Sequence, residues 1–559
     1  MSGMPELSII IPTYNRADRL RACLEALSRQ DLAPGLFEVI VVVDGSTDQT
    51  MALLERLETP FRLRSIGQDN AGQAAARNRG IAAAAGAYCL FIDDDIVAAP
   101  GLATAHLRAQ RSAPSVVAVG QLTITLPETA DWYARAFADG WRKRYAALNR
   151  GEFLPTWEDC YGGNVSAPRD VLLAIGGFDA GIARGHDVEL GYRLSEAGCR
   201  FVYLADAVGC QNEDKGFAEL SRDAERAGFS SMTNYRRDPA MLSQGLAAFA
   251  SGSWRKLLLR RLLLGLRVPP RLIAWCAGAT RTPARRLSWH AFIQNLCFWR
   301  GARRAAAGTD LWRRVTGGTP ILLYHAVGSN AEPAEAFVMP ASRFEAHMKW
   351  LGRLGFRPIS LEEFIQCHRE RRFPPARSVV VTLDDGYEDN FLHAYPVLRR
   401  QRIPATIFLV SETVGRGNDW SRKGALAGRP MMDWEQIRAM RADGIAFGAH
   451  SLTHPRLTDL NAEAAAAEIA HSGAAIERAL GSPVVAFAYP YGLHDATTRE
   501  LAREAGYGAA CTVDPGLNAL GTPAWSLCRA EIRGTDSIIR LWLALWLGNP
   551  EALARRKIR

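Results

Sequence analysis

Ala87-Tyr-Cys-Leu-Phe-Ile-Asp-Asp-Asp95 sets an unbroken apolar run directly against three adjacent carboxylates. A short continuous apolar run is the pattern of a strand covered on both faces, which belongs in a parallel sheet flanked by helices. Two earlier stretches repeat it. Leu7-Ser-Ile-Ile-Ile-Pro-Thr-Tyr-Asn15 precedes a helical spacing of Leu20, Leu24 and Leu27, and Phe37-Glu-Val-Ile-Val-Val-Val-Asp44 leads into Gly45-Ser-Thr-Asp48 and a further helical stretch. Strands alternating with helices predict an α/β, doubly wound sheet, in which ligands bind at the carboxyl ends of the strands. Pro12, Tyr14 and Asp44 then lie at the ligand edge beside the aspartates. Three neighbouring carboxylates repel one another, and a divalent cation offsets that cost. Hard oxygen ligands at this density suit Mg²⁺ or Mn²⁺ bridging to a diphosphate rather than zinc. For this motif alone, an exposed acidic turn capping the next helix is the alternative.

The second half of the chain has its own strand ends. Pro320-Ile-Leu-Leu-Tyr-His325 ends at a histidine, Ser378-Val-Val-Val-Thr-Leu383 at Asp384-Asp385-Gly386, and Ile445-Ala-Phe-Gly-Ala-His450 at His450-Ser-Leu-Thr-His454. Two histidines four apart plus a strand-end carboxylate form a three-ligand set with one open position, which is the arrangement of a catalytic metal. Paired aspartates divide the labour, one holding metal and the other serving as base. A lone buried histidine is more often structural, so the weight rests on the combination.

With 559 residues, 48% hydrophobic and 22% charged, the chain is too long for one core and too apolar for disorder, so several folded domains are expected. Ten cysteines without a C-x-x-C pair argue against a disulfide framework or a cysteine zinc site. The N-terminal apolar stretch meets Pro12 early and lacks a charged lead, and no apolar run reaches about 18 residues. The expectation is therefore no export signal, no transmembrane helix and a cytoplasmic location. Residues 251–318 hold fourteen Lys or Arg, Arg281 among them, against one acid, Asp310, and five tryptophans are interleaved. Such a segment reads as amphipathic helices for an anionic membrane face, which would seat the protein peripherally on the inner side of the cytoplasmic membrane. A helical linker with a solvated basic side is the other reading. Nucleic acid is disfavoured, because no base-reading module accompanies the charge.

The first region also carries Asn70-Ala-Gly72, Ala76-Arg-Asn-Arg-Gly80, Gly176-Gly-Phe-Asp179 and His186-Asp-Val-Glu-Leu190 with Arg193. Together with Pro12 to Asn15, Val43 to Asp48 and Ile92 to Asp95, this order resembles the family-two glycosyltransferases of the A-type fold over about 200 residues. The resemblance implies a nucleotide-diphospho-sugar donor bound by Pro12, Tyr14, Asp44, Asn70, Arg77, Asp93 and Asp95. Asp44 would lie near base and ribose, and Asp93 and Asp95 at metal and diphosphate. Asp187 matches the general base that deprotonates the acceptor hydroxyl, although His186 stands where relatives usually carry Glu. Asp187 also suits the start of a helix, and both roles hold together. No Gln-x-x-Arg-Trp signature of processive synthases is present. Cys210-Gln211 replace the usual metal-binding histidine, so single-sugar transfer with a different third metal ligand is expected.

Thr382-Leu-Asp-Asp-Gly386, His450-Ser-Leu-Thr-His454 and Tyr489-Pro-Tyr-Gly492 resemble the NodB-like polysaccharide deacetylases of carbohydrate esterase family four over about 230 residues. The resemblance implies a distorted (β/α) barrel that removes acetyl groups from sugars. Asp384 would be the base, Asp385, His450 and His454 the ligands of Zn²⁺ or another divalent metal, and the Tyr491 N–H the oxyanion donor. Two positions depart from the family: Ala488 stands for an Arg, and Leu527-Cys-Arg529 for the Leu-x-His that supplies the general acid. His325 is the candidate replacement acid, since its strand is similar to that of poly-N-acetylglucosamine deacetylases.

The chain thus divides into a transferase domain (4–240), a basic amphipathic helical segment (241–318) and a deacetylase domain (319–559). The reading is a bifunctional enzyme that transfers a sugar, expected to be N-acetylglucosamine from UDP-GlcNAc, to a glycan or lipid-linked acceptor. It then removes an N-acetyl group from an amino sugar. Its rivals are a transferase with an impaired deacetylase domain and a non-catalytic carbohydrate-binding scaffold at the membrane.

Overall fold

The computed structural model describes residues 4–182, 184–250, 254–278, 282–420 and 426–552. Two compact units emerge, one made of Met1–Arg237 with Val268–Ala305, the other of Asp238–Arg267 with Ala306–Arg559.

The first unit is built on an eight-stranded sheet of β1 (Leu7–Thr13), β2 (Phe37–Asp44), β3 (Arg62–Gln68), β4 (Tyr88–Ile92), β5 (Ile96–Ala98), β6 (Val116–Thr125), β7 (Asn164–Pro168) and β8 (Arg200–Asn212), ordered β3-β2-β1-β4-β7-β6-β8-β5. Every residue of β1 and β2 is buried, as expected of strands covered on both faces. β1 to β4 run parallel, and β5 and β7 run antiparallel to their neighbours, so the doubly wound sheet is mixed rather than wholly parallel. A tight turn separates β4, ending at Ile92, from β5, beginning at Ile96, which pairs with β8 at the far edge of the sheet rather than with β4. The three aspartates occupy that tight turn.

The second unit carries a parallel sheet of β9 (Ile321–Tyr324), β10 (Arg357–Pro358), β11 (Ser378–Leu383), β12 (Ala405–Leu409), β13 (Ala446–Ala449), β14 (Ala486–Ala488), β15 (Ala509–Cys511) and β16 (Ala530–Glu531). Its order is β15-β14-β13-β12-β11-β9-β16, with β10 beside β11. The sheet curls until a single parallel bridge, Cys511 to Leu527, joins β15 to the residues leading into β16. It is the distorted barrel expected, and His325, Asp384 and His450 each follow directly on the end of a strand.

Residues 241–318 are largely helical but are shared between the units. Helices Trp254–Gly265 and Thr309–Gly317 belong to the second, Pro270–Gly278 and Pro283–Ala305 to the first. Arg281 lies outside the described residues. Helix Pro283–Ala305 crosses helix Phe217–Arg237 at two glycines. A Cβ on Gly228 would come within 1.8 Å of the Phe298 carbonyl oxygen, and one on Gly301 within 1.8 Å of that of Glu225. Neither backbone has room to yield. Gly228→Ala and Gly301→Ala are therefore each expected to destabilise this unit by about 1–3 kcal/mol, read from the denaturant midpoint; an unchanged midpoint would mean that the helices separate freely.

Candidate active sites

At the ligand edge of the first sheet the acidic turn is held from below. Arg77, 1% exposed, donates from Nη2 to Asp93 Oδ1 at 2.7 Å and to the Gly162 carbonyl at 2.9 Å, while its Nη1 lies 2.9 Å from His186 Nε2. An arginine only donates, so His186 Nε2 is the acceptor and the imidazole is neutral, in keeping with the downward push that burial exerts on its pKa against the opposing charge of Asp187. Gln73 adds a second donor to Asp93 Oδ1 at 2.8 Å. Asp94 is buried, bonded by the Thr13 hydroxyl at 2.8 Å and Arg16 at 3.0 Å. Asp95 is served less well: Arg16 and Arg19 stand 3.7 Å away and the Gln211 amide 3.5 Å from both its oxygens. Burial, then the charges of Asp93 and Asp94, push its carboxyl up to about 6. An added cation would relieve that strain.

Among the described residues no third carboxylate, cysteine or histidine converges with Asp93 and Asp95. Two carboxylates are nonetheless what Mg²⁺ or Mn²⁺ needs when substrate phosphates complete its shell. Gln211, brought in by the pairing of β8 with β5, presents its side-chain amide to Asp95. The other edge residues are largely tied to their own chain. Asp44 accepts from the Gln68 side chain and the Ala71 and Gly72 N–H groups at 2.7–2.9 Å, and Asn70 donates to the Asp44 carbonyl. Pro12 is buried in β1, and Tyr14 stands half exposed just beyond it. Asp187 sits in the first turn of helix His186–Glu196, accepting from Val188 N–H at 2.9 Å and Gly162 N–H at 3.3 Å.

In the second unit a cavity of about 530 Å³ gathers His325, Asp384, Asp385, His450, His454 and Tyr491. Donor atoms of Asp385, His450 and His454 lie within 4.8 Å of one another, and Asp385 Oδ1 is 3.5 Å from Nε2 of each histidine. The His450 Nδ1 faces the Ala488 carbonyl at 2.8 Å, so that nitrogen carries the proton and Nε2 keeps its lone pair for a cation. Burial pushes His454 down to about 4, which leaves it in the neutral, ligating form. These residues fit a divalent metal. Tyr387, fully buried, receives the Asn418 amide at 2.9 Å.

Asp384 is held by a side chain that stands out in the sequence only as a departure. Arg529, 0% exposed, donates from Nη1 and Nη2 to the two Asp384 oxygens at 2.7 Å each, and from Nε to the Thr512 carbonyl at 2.8 Å. Burial alone would raise the Asp384 pKa, and the Arg529 charge with His450 and the bidentate bonds outweighs it, so the net direction is down. The rest of the wall is aromatic: Trp420 stacks on His454 at 4.7 Å, Tyr491 meets His454 edge-on at 4.6 Å, and Phe337 lies 4.9 Å from the His325 ring. Asn390 fixes the His325 backbone through its carbonyl at 3.0 Å. Asp385, Ser451, His454 and Tyr491 all take positive φ (58° to 74°), a strained conformation that tends to collect at working sites.

Comparison with known proteins follows the same division. Residues 8–176 match the family model "Glycosyl transferase family 2" and residues 371–510 the model "Polysaccharide deacetylase". The chain joins a family-two glycosyltransferase domain to a polysaccharide deacetylase domain. Both are families of enzymes, and both generally use divalent metals. The putative polysaccharide deacetylase YxkH of Bacillus subtilis is 28% identical over 213 residues, 38% of this chain and 71% of that protein. Validoxylamine A glucosyltransferase of Streptomyces hygroscopicus subsp. limoneus is 31% identical over 237 residues, 38% of this chain and 52% of that protein, so the chain spans about half of that relative's length. The solved Streptococcus pyogenes deacetylase PplD, in complex with acetate, covers 41% of this chain and 98% of its own at 23% identity, with a TM-score of 0.36.

Sequence reasoning missed Arg529, Tyr387 and Trp420 in the deacetylase domain, and Arg16, Gln73 and the acceptor role of His186 in the transferase domain. Arg529 meets Asp384 across 145 positions, and no local spacing signals that pairing. Removing one partner of a buried ion pair strands the other charge. Arg529→Met is expected to lower stability by about 3–5 kcal/mol, with Arg529→Lys intermediate because it restores charge without the two-pronged geometry. Denaturant unfolding checks the order, and equal stability of all three would show that Asp384 tolerates burial alone.

Proposed function

We propose that the chain is a bifunctional enzyme of polysaccharide or glycoconjugate biosynthesis. One domain transfers a sugar from a nucleotide-diphospho-sugar to a glycan or lipid-linked acceptor, and the other hydrolyses an N-acetyl group of an amino sugar. The observation that carries the reading is the convergence of Asp384, Asp385, His450 and His454 in one cavity, on a chain whose other sheet ends in Asp93 and Asp95. Nothing structural alone would retain two such clusters of like charge.

In the deacetylase domain Asp385, His450 and His454 would hold Zn²⁺ or another divalent ion. When bound, that ion polarises the amide carbonyl and makes water a better nucleophile. Asp384 takes the proton of the attacking water, and Arg529 keeps its carboxylate ionised and oriented. The Tyr491 N–H faces the developing oxyanion, and His325 delivers a proton to the leaving nitrogen. An amine leaves readily only when protonated, so the missing Leu-x-His histidine requires such a donor, and His325 lines the same cavity.

In the transferase domain Asp187 accepts the proton of the acceptor hydroxyl. Asp93 and Asp95 would hold Mg²⁺ or Mn²⁺ at the diphosphate, with Pro12, Tyr14, Asp44, Asn70 and Arg77 shaping the donor side, Arg77 from beneath Asp93. N-acetylglucosamine from UDP-GlcNAc is the sugar that both chemistries share, which supports it as donor. A lipid-linked acceptor places the enzyme peripherally at the cytoplasmic face of a membrane.

Acetate release from N-acetylated glycosides and sugar transfer from UDP-GlcNAc and UDP-glucose, measured on the full chain, test the reading. Asp93→Ala is expected to abolish transfer and spare acetate release, and Asp385→Ala to do the opposite; loss of both activities in either folded variant would sink the two-site assignment. His325→Ala is expected to slow acetate release by about 10²–10⁴ with metal still bound. No acetate from wild-type, metal-loaded protein would leave a transferase with an impaired partner.

A further inference from the structure

Helix Trp254–Gly265 of the second unit buries Leu257 and Leu264 but exposes a stripe of leucines on its other side. At 3.6 residues per turn, Leu258, Leu259, Leu262 and Leu266 fall within an arc of about 100°, and Leu257, Arg260, Arg261 and Leu264 on the opposite arc. The second arc is the one turned inward: Arg260 donates to the Phe249 carbonyl at 2.8 Å, and Arg261 to those of Trp546, Thr316 and Gly317 at 2.8–2.9 Å. The leucines face out, 46%, 40%, 54% and 68% exposed in chain order. A surface helix normally turns its apolar residues to the core.

The surroundings match a particular covering. Arg255 and Lys256 are exposed at one end and Arg267 just past the other, and the helix contains no acid. Helix Ile538–Leu547 packs against it, with Trp254 and Trp546 in their shared cluster, and exposes Ile539 and Trp542. Among the described residues no helix is long and apolar enough to cross a membrane. An apolar stripe with cationic ends that cannot span a bilayer suits the boundary between headgroups and acyl chains.

We infer that this face is where the chain lies on a lipid bilayer carrying anionic headgroups, with the leucine stripe at the acyl boundary and Arg255, Lys256 and Arg267 among the phosphates. The inference rests on the peripheral location proposed above and gives it a surface. Each Lys or Arg near an anionic surface strengthens binding by about fivefold, so the attachment is salt-sensitive.

Co-sedimentation of the full chain with vesicles tests it, using phosphatidylglycerol mixed with phosphatidylethanolamine against pure phosphatidylcholine. Binding at least tenfold tighter to the anionic vesicles is expected, weakened by high salt. Leu258→Glu with Leu262→Glu, both exposed and remote in role from either catalytic set, is expected to cost a further tenfold while acetate release from a soluble substrate stays unchanged. Absence of wild-type binding at low salt, or equal binding to both vesicles, overturns this surface and the peripheral location together. Binding that the double variant keeps overturns the surface alone. Wild-type self-association in sedimentation velocity, lost in the double variant and unaccompanied by vesicle binding, assigns the stripe to a second copy of the chain instead.

Discussion

The acidic strand edge of each unit holds an arginine buried beneath a carboxylate, Arg77 under Asp93 and Arg529 under Asp384. They are the two arginines among the largest fully buried side chains. A parallel sheet brings strand ends to one edge, and ligand chemistry asks for several carboxylates there. Low dielectric makes such a cluster unstable unless each charge finds a counter-charge or a proton. A guanidinium supplies both charge and geometry, because its fork can hold two acceptors in fixed directions. Arg77 uses that fork to reach Asp93, His186 and the Gly162 carbonyl, so one side chain ties the acidic turn to the start of the helix that carries Asp187. Arg529 closes both of its prongs on one carboxylate.

Compensating one carboxylate in each site leaves its neighbour open. Asp95 stays poorly compensated, with cations at 3.7 Å and a carboxyl raised to about 6, and Asp385 faces two imidazole nitrogens at 3.5 Å rather than a guanidinium. An added divalent ion would find its field there. In the second unit the division between the two aspartates follows from where Arg529 stops. Asp385 and His454, which converge from two different strand ends, both take positive φ.

The helical middle of the chain serves each unit in a different way. Its long helix Pro283–Ala305 is driven into helix Phe217–Arg237 at glycine contacts, which makes it part of the transferase core despite its basic composition. Its helix Trp254–Gly265 turns arginines toward backbone carbonyls, which satisfies the charges with neutral acceptors and sends leucines outward. Composition alone makes the two alike.

Much of the fold and many of the chemical groups were legible because they are local. A run such as Ser378 to Leu383 announces a buried strand by its lack of alternation, and an aspartate or histidine at its end marks the edge where ligands bind. The mixed direction of the first sheet was not legible, because the antiparallel pairings of β7 with β4 and β6 and of β5 with β8 join segments distant in sequence. Gln211 against Asp95, His186 against Arg77 and Arg529 against Asp384 were not legible, since partners more than a hundred residues apart leave no spacing to read. By itself the sequence determined which strands are buried on both faces, which chemical groups terminate them and hence the two kinds of chemistry. Only the tertiary structure decided which charges neutralise one another and which side of a Leu- and Arg-rich helix faces inward. Both depend on the low dielectric and fixed geometry that exist once distant segments have packed.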